Sequence, residues 1–330
     1  MERGPGRRAL AFAPAHLTGL FRPSTEARDP RARGSVGAGL VLEVGVRAYA
    51  RLRPSERRLV HVHSSRRGSL PISTEVARRL LGSRKGALSV RLEHEVPIGQ
   101  GFGTSAAGAV ATGLAVAAVL GESPTRAIEI AHLADLYGGG GLGGVAAILG
   151  GGLELRHRPG IPPFGRVDHS AFSPSFLVGV LGGPISSPRV LRSERVLRRI
   201  ARAGALWEEL PTRPDPEEFF TAAGRFTDRV ALAPTALRAL LRGLRRRGAL
   251  SFQPMFGSAF AALPSTDRAR AATLKWLGER GIATVELRCA RTGARRLPPP
   301  ADPGAPGRSA DIVRPAAASL LPRGPSRRRP

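Results

Sequence analysis

Polar and apolar residues alternate in two stretches of the first hundred positions. Leu59-Val60-His61-Val62-His63 is one; in the other, Leu88, Val90 and Leu92 point one way while Ser89, Arg91 and Glu93 point the other, which predicts an amphipathic strand. Residues 38–47 form an apolar run bounded by glycines and also read as a strand. Residues 104–120 then carry no charge over a helical length, predicting a buried helix that Gly121 stops. Ser123-Pro124 supplies a cap and a first-turn proline for a second helix over 124–137, with Ile128, Ala131, Leu133 and Leu136 at helical spacing. A glycine cluster at 138–144 precedes an apolar run, 145–149, and a short strand-like Leu153-Glu154-Leu155. Residues 156–168, rich in Pro and Gly, read as a domain boundary. Beyond it the pattern predicts strands over 176–181, 256–263 and 282–289 and helices over 194–209, 216–231, 235–247 and 265–280. From 298 onward Pro, Ala, Gly and Arg show no period, so a disordered tail is expected. Strands and helices in no strict βαβ alternation predict a two-domain α+β chain, divided at 1–165 and 166–297 before the tail at 298–330.

Composition changes this picture little. A chain of 330 residues with 42% hydrophobic residues can bury a sizeable core. The net charge of +26 would suggest a polyanionic partner. Its make-up weakens that reading: Lys85 and Lys275 are the only lysines, the arginines are spread along the whole chain, and Ala, Gly and Pro, all with GC-rich codons, are abundant. With only 5% aromatic residues, base-stacking platforms are scarce, so no nucleic-acid partner is expected. The basic first eight residues lack a following apolar stretch and cleavage site, and no apolar run reaches membrane-spanning length. A cytoplasmic protein with no membrane partner is the expectation, and a homodimer is left open. Cys289, the single cysteine, excludes an internal disulfide and reads as a structural thiol.

The candidate chemistry lies at Pro97-Ile98-Gly99-Gln100-Gly101-Phe102-Gly103-Thr104-Ser105-Ala106-Ala107. Glycines at alternate positions let a backbone approach a ligand closely. A helix beginning at Thr104 or Ser105 aims free N–H groups and its positive dipole end at that loop, and a nucleotide phosphate is the natural occupant. The Lys-Ser or Lys-Thr that closes a Walker A loop is absent.

This loop resembles the phosphate-binding motif of the GHMP kinases, with Phe102 and Thr104 in place of the usual Leu and Ser. A second match, Phe12-Ala13-Pro14-Ala15-His16-Leu17-Thr18-Gly19, lies near the start, where the family has one. Asp29-Pro30, Gly34-Ser35-Val36-Gly37-Ala38-Gly39 and Gly183-Pro184-Ile185-Ser186 are similar to the archaeal pantoate kinases within that family, and the likeness runs from about Ala11 to Cys289. The resemblance implies an N-terminal domain like ribosomal protein S5 domain 2, a C-terminal ferredoxin-like domain, and transfer of the γ-phosphoryl group of ATP to the primary hydroxyl of pantoate for coenzyme A synthesis.

It also implies roles. Gly99, Gly101, Gly103 and the amides of Thr104, Ser105 and Ala106, introduced by Pro97, would wrap the phosphates of ATP. Ser105 and Asp135 would hold Mg²⁺ and form the catalytic pair. His16, Thr18, Arg33 and Ser35 are the substrate-side candidates, Arg33 because a guanidinium suits the carboxylate of pantoate. Pantoate kinases resemble one another in Gly-Leu-Gly-Asp, the Asp being a candidate base; here the segment is Gly141-Leu142-Gly143-Gly144. The third motif, residues 252–259, keeps one glycine, Gly257. A GHMP kinase of another small hydroxy acid or alcohol, a nucleotide-binding pseudokinase and a basic nucleic-acid-associated protein stay open as alternatives.

Overall fold

The computed structural model describes residues 6–65, 70–185, 189–190 and 192–298. The expected tail, apart from its first residue, and Ser186 of the third resemblance motif lie outside the described residues.

Two long antiparallel strands form the spine, β1 (Arg7–Ser24) and β2 (Gly34–Arg53). A short turn over Pro30–Ala32 joins them, its entry capped by the Asp29 carboxylate, which accepts from the Arg31 N–H. β2 runs past the apolar stretch at 38–47 at both ends, because the residues flanking it stay paired to β1. β3 (Arg58–Ser64) lies parallel to β4 (Gly86–His94), and β4 pairs antiparallel to β2. The side chains of β4 alternate strictly between buried and half-buried, as the sequence pattern predicts. β5 (Leu153–Arg158) continues from β2, β6 (Arg166–Ser170) pairs β5, and β11 (Arg295–Leu297) closes the other edge on β1.

Three helices cover one face of this sheet: α1 (Pro71–Leu81), α2 (Thr104–Leu120) and α3 (Pro124–Tyr137). α2 is apolar all round and packs against β1, β2, α1 and α3, so its whole circumference is taken up by the core. α3 starts where the cap signal placed it, with the Ser123 hydroxyl accepting from the Arg126 N–H. A single short turn, α4 (Gly144–Ala147), follows the glycine cluster.

The second sheet contains β7 (Phe176–Val180), β8 (Ala249–Phe252), β9 (Ala259–Pro264) and β10 (Thr284–Leu287), in the order β10-β7-β9-β8. Helices α5 (Glu194–Ala203), α6 (Pro216–Val230) and α7 (Thr235–Arg245) lie between its first two strands, and α8 (Asp267–Gly278) precedes the last. The connectivity is that of a split βαβ unit. The two sheets share one core, in which Leu17, Leu20, Leu40 and Leu42 of the spine meet Phe176, Phe219, Phe220 and Phe252.

Three sequence expectations change. Residues 156–168 are no boundary, because β5 and β6 form a hairpin across them and both belong to the first sheet. The division at 165/166 therefore cuts that hairpin, and the chain returns to the first sheet again at β11. α1 carries no predicted element, although Val76, Ala77, Leu80 and Leu81 give it a buried stripe; its start has no side-chain cap to signal it. The helix expected over 194–209 stays α-helical only to Ala203 and tightens into a 3-10 turn at Gly204–Trp207.

Candidate functional site

A cavity of about 520 Å³ opens where the first sheet, the N-terminus of α2 and the second sheet converge. β1 contributes His16, Thr18 and Phe21, and β2 contributes Ser35. The register of β1 on β2 shifts between Pro14 and His16 and again between Thr18 and Leu20. Such irregularities re-aim side chains locally. Here they bracket the two opening-motif residues that face the cavity.

The glycine loop forms the floor. Gly99, Gly101 and Gly103 all have positive φ, 75°, 91° and 61°, which an L side chain rarely adopts. Gly103 is the cap residue of α2 and no side chain caps the helix, so the first-turn amides of Thr104, Ser105 and Ala106 face the cavity these residues line. The loop is braced from the second sheet. The Gln100 side chain donates to Gly182 O at 3.1 Å and accepts from the Ser258 N–H at 3.2 Å, while the Ile185 N–H donates to Gly99 O at 3.1 Å. Gly257 explains itself here: a Cβ on it would lie 1.9 Å from the Gln100 carbonyl carbon. The surviving glycine of the third motif is thus the seat on which the glycine loop rests.

Asp135, near the end of α3, receives a hydrogen bond from Ser105 Oγ at 2.6 Å. It is buried and pairs with no cation among the described residues, so burial pushes its carboxyl up to about 6 against the pull of the serine bond. A buried carboxylate without a counter-ion, beside a hydroxyl and at the mouth of open amides, fits Mg²⁺ bound to phosphate. Among the described residues no cluster of three or more His, Cys, Asp and Glu could hold a metal unaided. Mg²⁺ suits this two-residue set, since it takes one or two protein oxygens and completes its shell with phosphates and water.

The glycine cluster 138–144 runs along the cavity wall. A Cβ on Gly140 would lie 2.0 Å from Asp135 Oδ1 and 2.7 Å from Ile72 Cδ1; one on Gly143 would lie 2.5 Å from Ser35 Oγ and 2.7 Å from Arg156 Nε. The cluster thus spans from the α1 end, lined by Leu70, Pro71, Ile72, Ser73 and His94, to the β1–β2 end. Gly144 itself packs on α2, its would-be Cβ 2.8 Å from Ala106 Cβ. A carboxylate introduced there must first displace Ala106.

Behind the β1–β2 end lies a buried chain of polar groups. His16 Nε2 is 2.9 Å from Glu154 Oε1, and Arg156 Nη1 also donates to that oxygen. His16 Nδ1 is 3.3 Å from Thr18 Oγ1. Burial lowers the pKa of His16 in spite of Glu154. Glu154 and Arg156 are 0% and 2% exposed, and Glu154 Oε2 and Arg156 Nε have no hydrogen-bond partner among the described residues. The resemblance motifs did not include this pair; Glu154 lies in the strand-like 153–155 run, but Arg156 falls just beyond it, in the segment that reads as a boundary.

The structure brings together the loop glycines Gly99, Gly101 and Gly103, Thr104, Ser105, Ala106, Asp135, His16, Thr18 and Ser35. Two expected residues stay outside. Pro97 is buried and opens the loop without lining the cavity. Arg33 does not reach the cavity, because its Nε donates to Ala27 O at 2.6 Å and its Nη2 to Arg28 O at 3.4 Å, bracing the turn before β2. Arg156 stands against the wall at Gly143, whose would-be Cβ lies 2.7 Å from its Nε. Cys289 is remote from the cavity, and burial pushes its thiol pKa up, as for an inert thiol. No helix among the described residues is long and apolar enough to cross a membrane.

Comparison with known proteins agrees with this geometry. The profile for the GHMP kinases N terminal domain matches residues 72–152, which span α1, the glycine loop, Asp135 and the glycine cluster. A pantoate kinase of Thermococcus kodakarensis is 33% identical over 240 residues, 71% of this chain and 80% of that one. A pantoate kinase of Methanospirillum hungatei is 29% identical over 265 residues, covering 78% and 87%. A solved phosphotransferase related to the CoA biosynthesis pathway superposes with TM-score 0.79 at 28% identity, over 88% of this chain and 99% of that one. Mevalonate kinase of Leishmania major, solved with R-mevalonate, shares the fold at TM-score 0.59 and 15% identity. At 33% identity over 240 residues to a relative of which it covers 80%, and with the glycine loop and Ser105–Asp135 pair assembled at one cavity, the chain belongs to the pantoate kinase family of the GHMP kinases.

Proposed function

We propose that the protein phosphorylates pantoate at its primary hydroxyl, using Mg·ATP and releasing ADP and 4-phosphopantoate. The observation that carries this reading is the Ser105–Asp135 pair set against the open first-turn amides of α2, in a chain of this family. Phosphoryl transfer requires alignment and charge neutralisation more than covalent chemistry. The loop amides of 103–106 take the phosphates. Ser105 and Asp135 would hold Mg²⁺, which when bound offsets charge on the phosphate oxygens. The nucleotide base takes the apolar end at Leu70, Pro71 and Ile72. The acceptor takes the end lined by His16, Thr18 and Ser35, with Met255 and Phe256 closing over its carbon skeleton. Arg156, standing one layer behind Gly143 and Ser35, gives that end the positive field a carboxylate substrate needs.

Incubation with Mg·ATP and, separately, pantoate, mevalonate and homoserine tests the assignment. ADP release that depends on pantoate alone supports it. Release with another acceptor in preference moves the chain to a different GHMP substrate, and tight Mg·ATP binding without turnover on any acceptor identifies a nucleotide-binding protein that has lost transfer.

A further inference from the structure

Gly144 brings no side chain to the cavity, and its packing on Ala106 shows that the place is filled by backbone and methyl. Among the described residues three titratable side chains line the cavity: Asp135, His94 and His16. Asp135 is committed to Ser105 and the metal. His94 stands toward the α1 end, its Nδ1 3.2 Å from the Ser64 hydroxyl. His16 is the group at the acceptor end.

Its surroundings define its proton. Glu154 Oε1 accepts from Arg156 on one side, so it also accepts from His16 Nε2 on the other. Nε2 therefore carries the hydrogen and Nδ1 presents a lone pair. In the free protein the Thr18 hydroxyl donates to that lone pair at 3.3 Å, a long bond that an incoming alcohol can replace. The charged and titratable groups facing the ring are Glu154, Arg156 and His169, and burial outweighs them to keep the imidazole neutral. Backbone contacts fix the ring beside the phosphate loop: the His16 N–H donates to Phe102 O at 3.0 Å, and Gly103 packs on the His16 backbone. Gly39 makes room for it, since a Cβ there would lie 2.2 Å from His16 Nε2.

We propose that His16 Nδ1 is the proton acceptor for the hydroxyl that attacks the γ-phosphorus, with Glu154 and Arg156 as positioning residues behind it. The inference rests on the phosphoryl-transfer reading above. In the step, the acceptor oxygen bonds to phosphorus while the bond from phosphorus to the β,γ-bridging oxygen breaks and its electron pair leaves on ADP. The hydroxyl proton passes to Nδ1, Glu154 holds the resulting imidazolium at Nε2, and the proton returns to water after the products leave. The arrangement repeats the logic of a carboxylate orienting a histidine base, here on the edge of a phosphate site.

The test compares the wild-type chain with His16→Gln and His16→Gly, measuring kcat for ADP release and the Kd of a non-hydrolysable Mg·ATP analogue. The expected result is a kcat about 10²-fold lower or worse in both variants, analogue binding within about threefold, and turnover of His16→Gly restored by added imidazole in proportion to its free-base concentration. Turnover of His16→Gln near wild type, or no rescue in a folded His16→Gly, overturns the inference while leaving the kinase reading intact. A wild-type chain that makes no ADP with any acceptor overturns both. If neither variant folds, ¹⁵N-histidine-labelled wild type decides. Adding pantoate to the analogue complex should shift the His16 Nδ1 resonance, and an unmoved resonance overturns the assignment.

Discussion

Asp135 is a carboxylate that the fold buries beside a serine hydroxyl with no cation of its own. Its pKa rises from 3.8 to about 6, so below about 4 the folded and unfolded chains are both protonated there and no cost arises. As pH climbs from 4 to 6 the unfolded chain ionises first, the native state falls behind, and above 6 the penalty is constant, on the order of 3 kcal/mol. Asp135→Asn should therefore raise the Tm of the metal-free protein at pH 7.5, with the gain disappearing near pH 4, while pantoate-dependent turnover is abolished. A variant no more stable than wild type at pH 7.5 would contradict the buried, unpaired carboxylate. Gly39→Ala makes a second residue-scale test. Its Cβ would meet His16 Nε2 at 2.2 Å and Leu17 O at 2.7 Å, so it should cost about 1–3 kcal/mol in chemical denaturation and lower kcat with it.

The phosphate loop is an irregular segment, and its shape is held from outside by Gln100, which bonds Gly182 and Ser258 at once. Removing that brace in Gln100→Ala should raise KM for ATP roughly tenfold, about 1.4 kcal/mol of lost preorganisation, and leave Tm nearly unchanged; an unaltered KM would show that the glycines hold their own shape. The capping box of α6 tests the elements away from the site: Asp215→Ala, which removes the bond to the Glu218 N–H, should cost about 1 kcal/mol without changing kcat. What the sequence disclosed at this scale follows the strength of local signals. α2 and α3 begin and end where an uncharged run, a glycine stop and a Ser-Pro cap placed them. The β5–β6 hairpin was hidden because prolines and glycines at its turn look like a linker, and pairing between strands leaves no local trace. The loop and Asp135 were legible as motif residues. Glu154 and Arg156 were not, since only the pairing of β5 with β2, Glu154 opposite Gly39 and Arg156 opposite Gly37, sets them behind His16. Arg33 misled because an arginine near a glycine motif looks like a ligand until the carbonyls of residues 27 and 28 are seen to hold it.

Two sheets share a phenylalanine-rich core and open a cavity along the seam between the α2 N-terminus, the β1–β2 bulges and the third motif. The charge of +26 is spread over this body, with many arginines in exposed pairs such as Arg22–Glu208 and Arg225–Glu209. Binding to polynucleotide should accordingly be weak and fall steeply between about 50 and 200 mM salt; binding that survived the higher salt would point to a built polyanion surface. The function proposed for this seam is transfer of phosphate from ATP to pantoate. ³¹P NMR of the protein with Mg·ATP and pantoate follows both products together. A new phosphomonoester signal should grow in step with ADP, absent when pantoate is omitted and absent with Asp135→Asn. A folded wild-type protein that binds Mg·ATP yet yields no such signal, or that yields ADP at the same rate without pantoate, would contradict it.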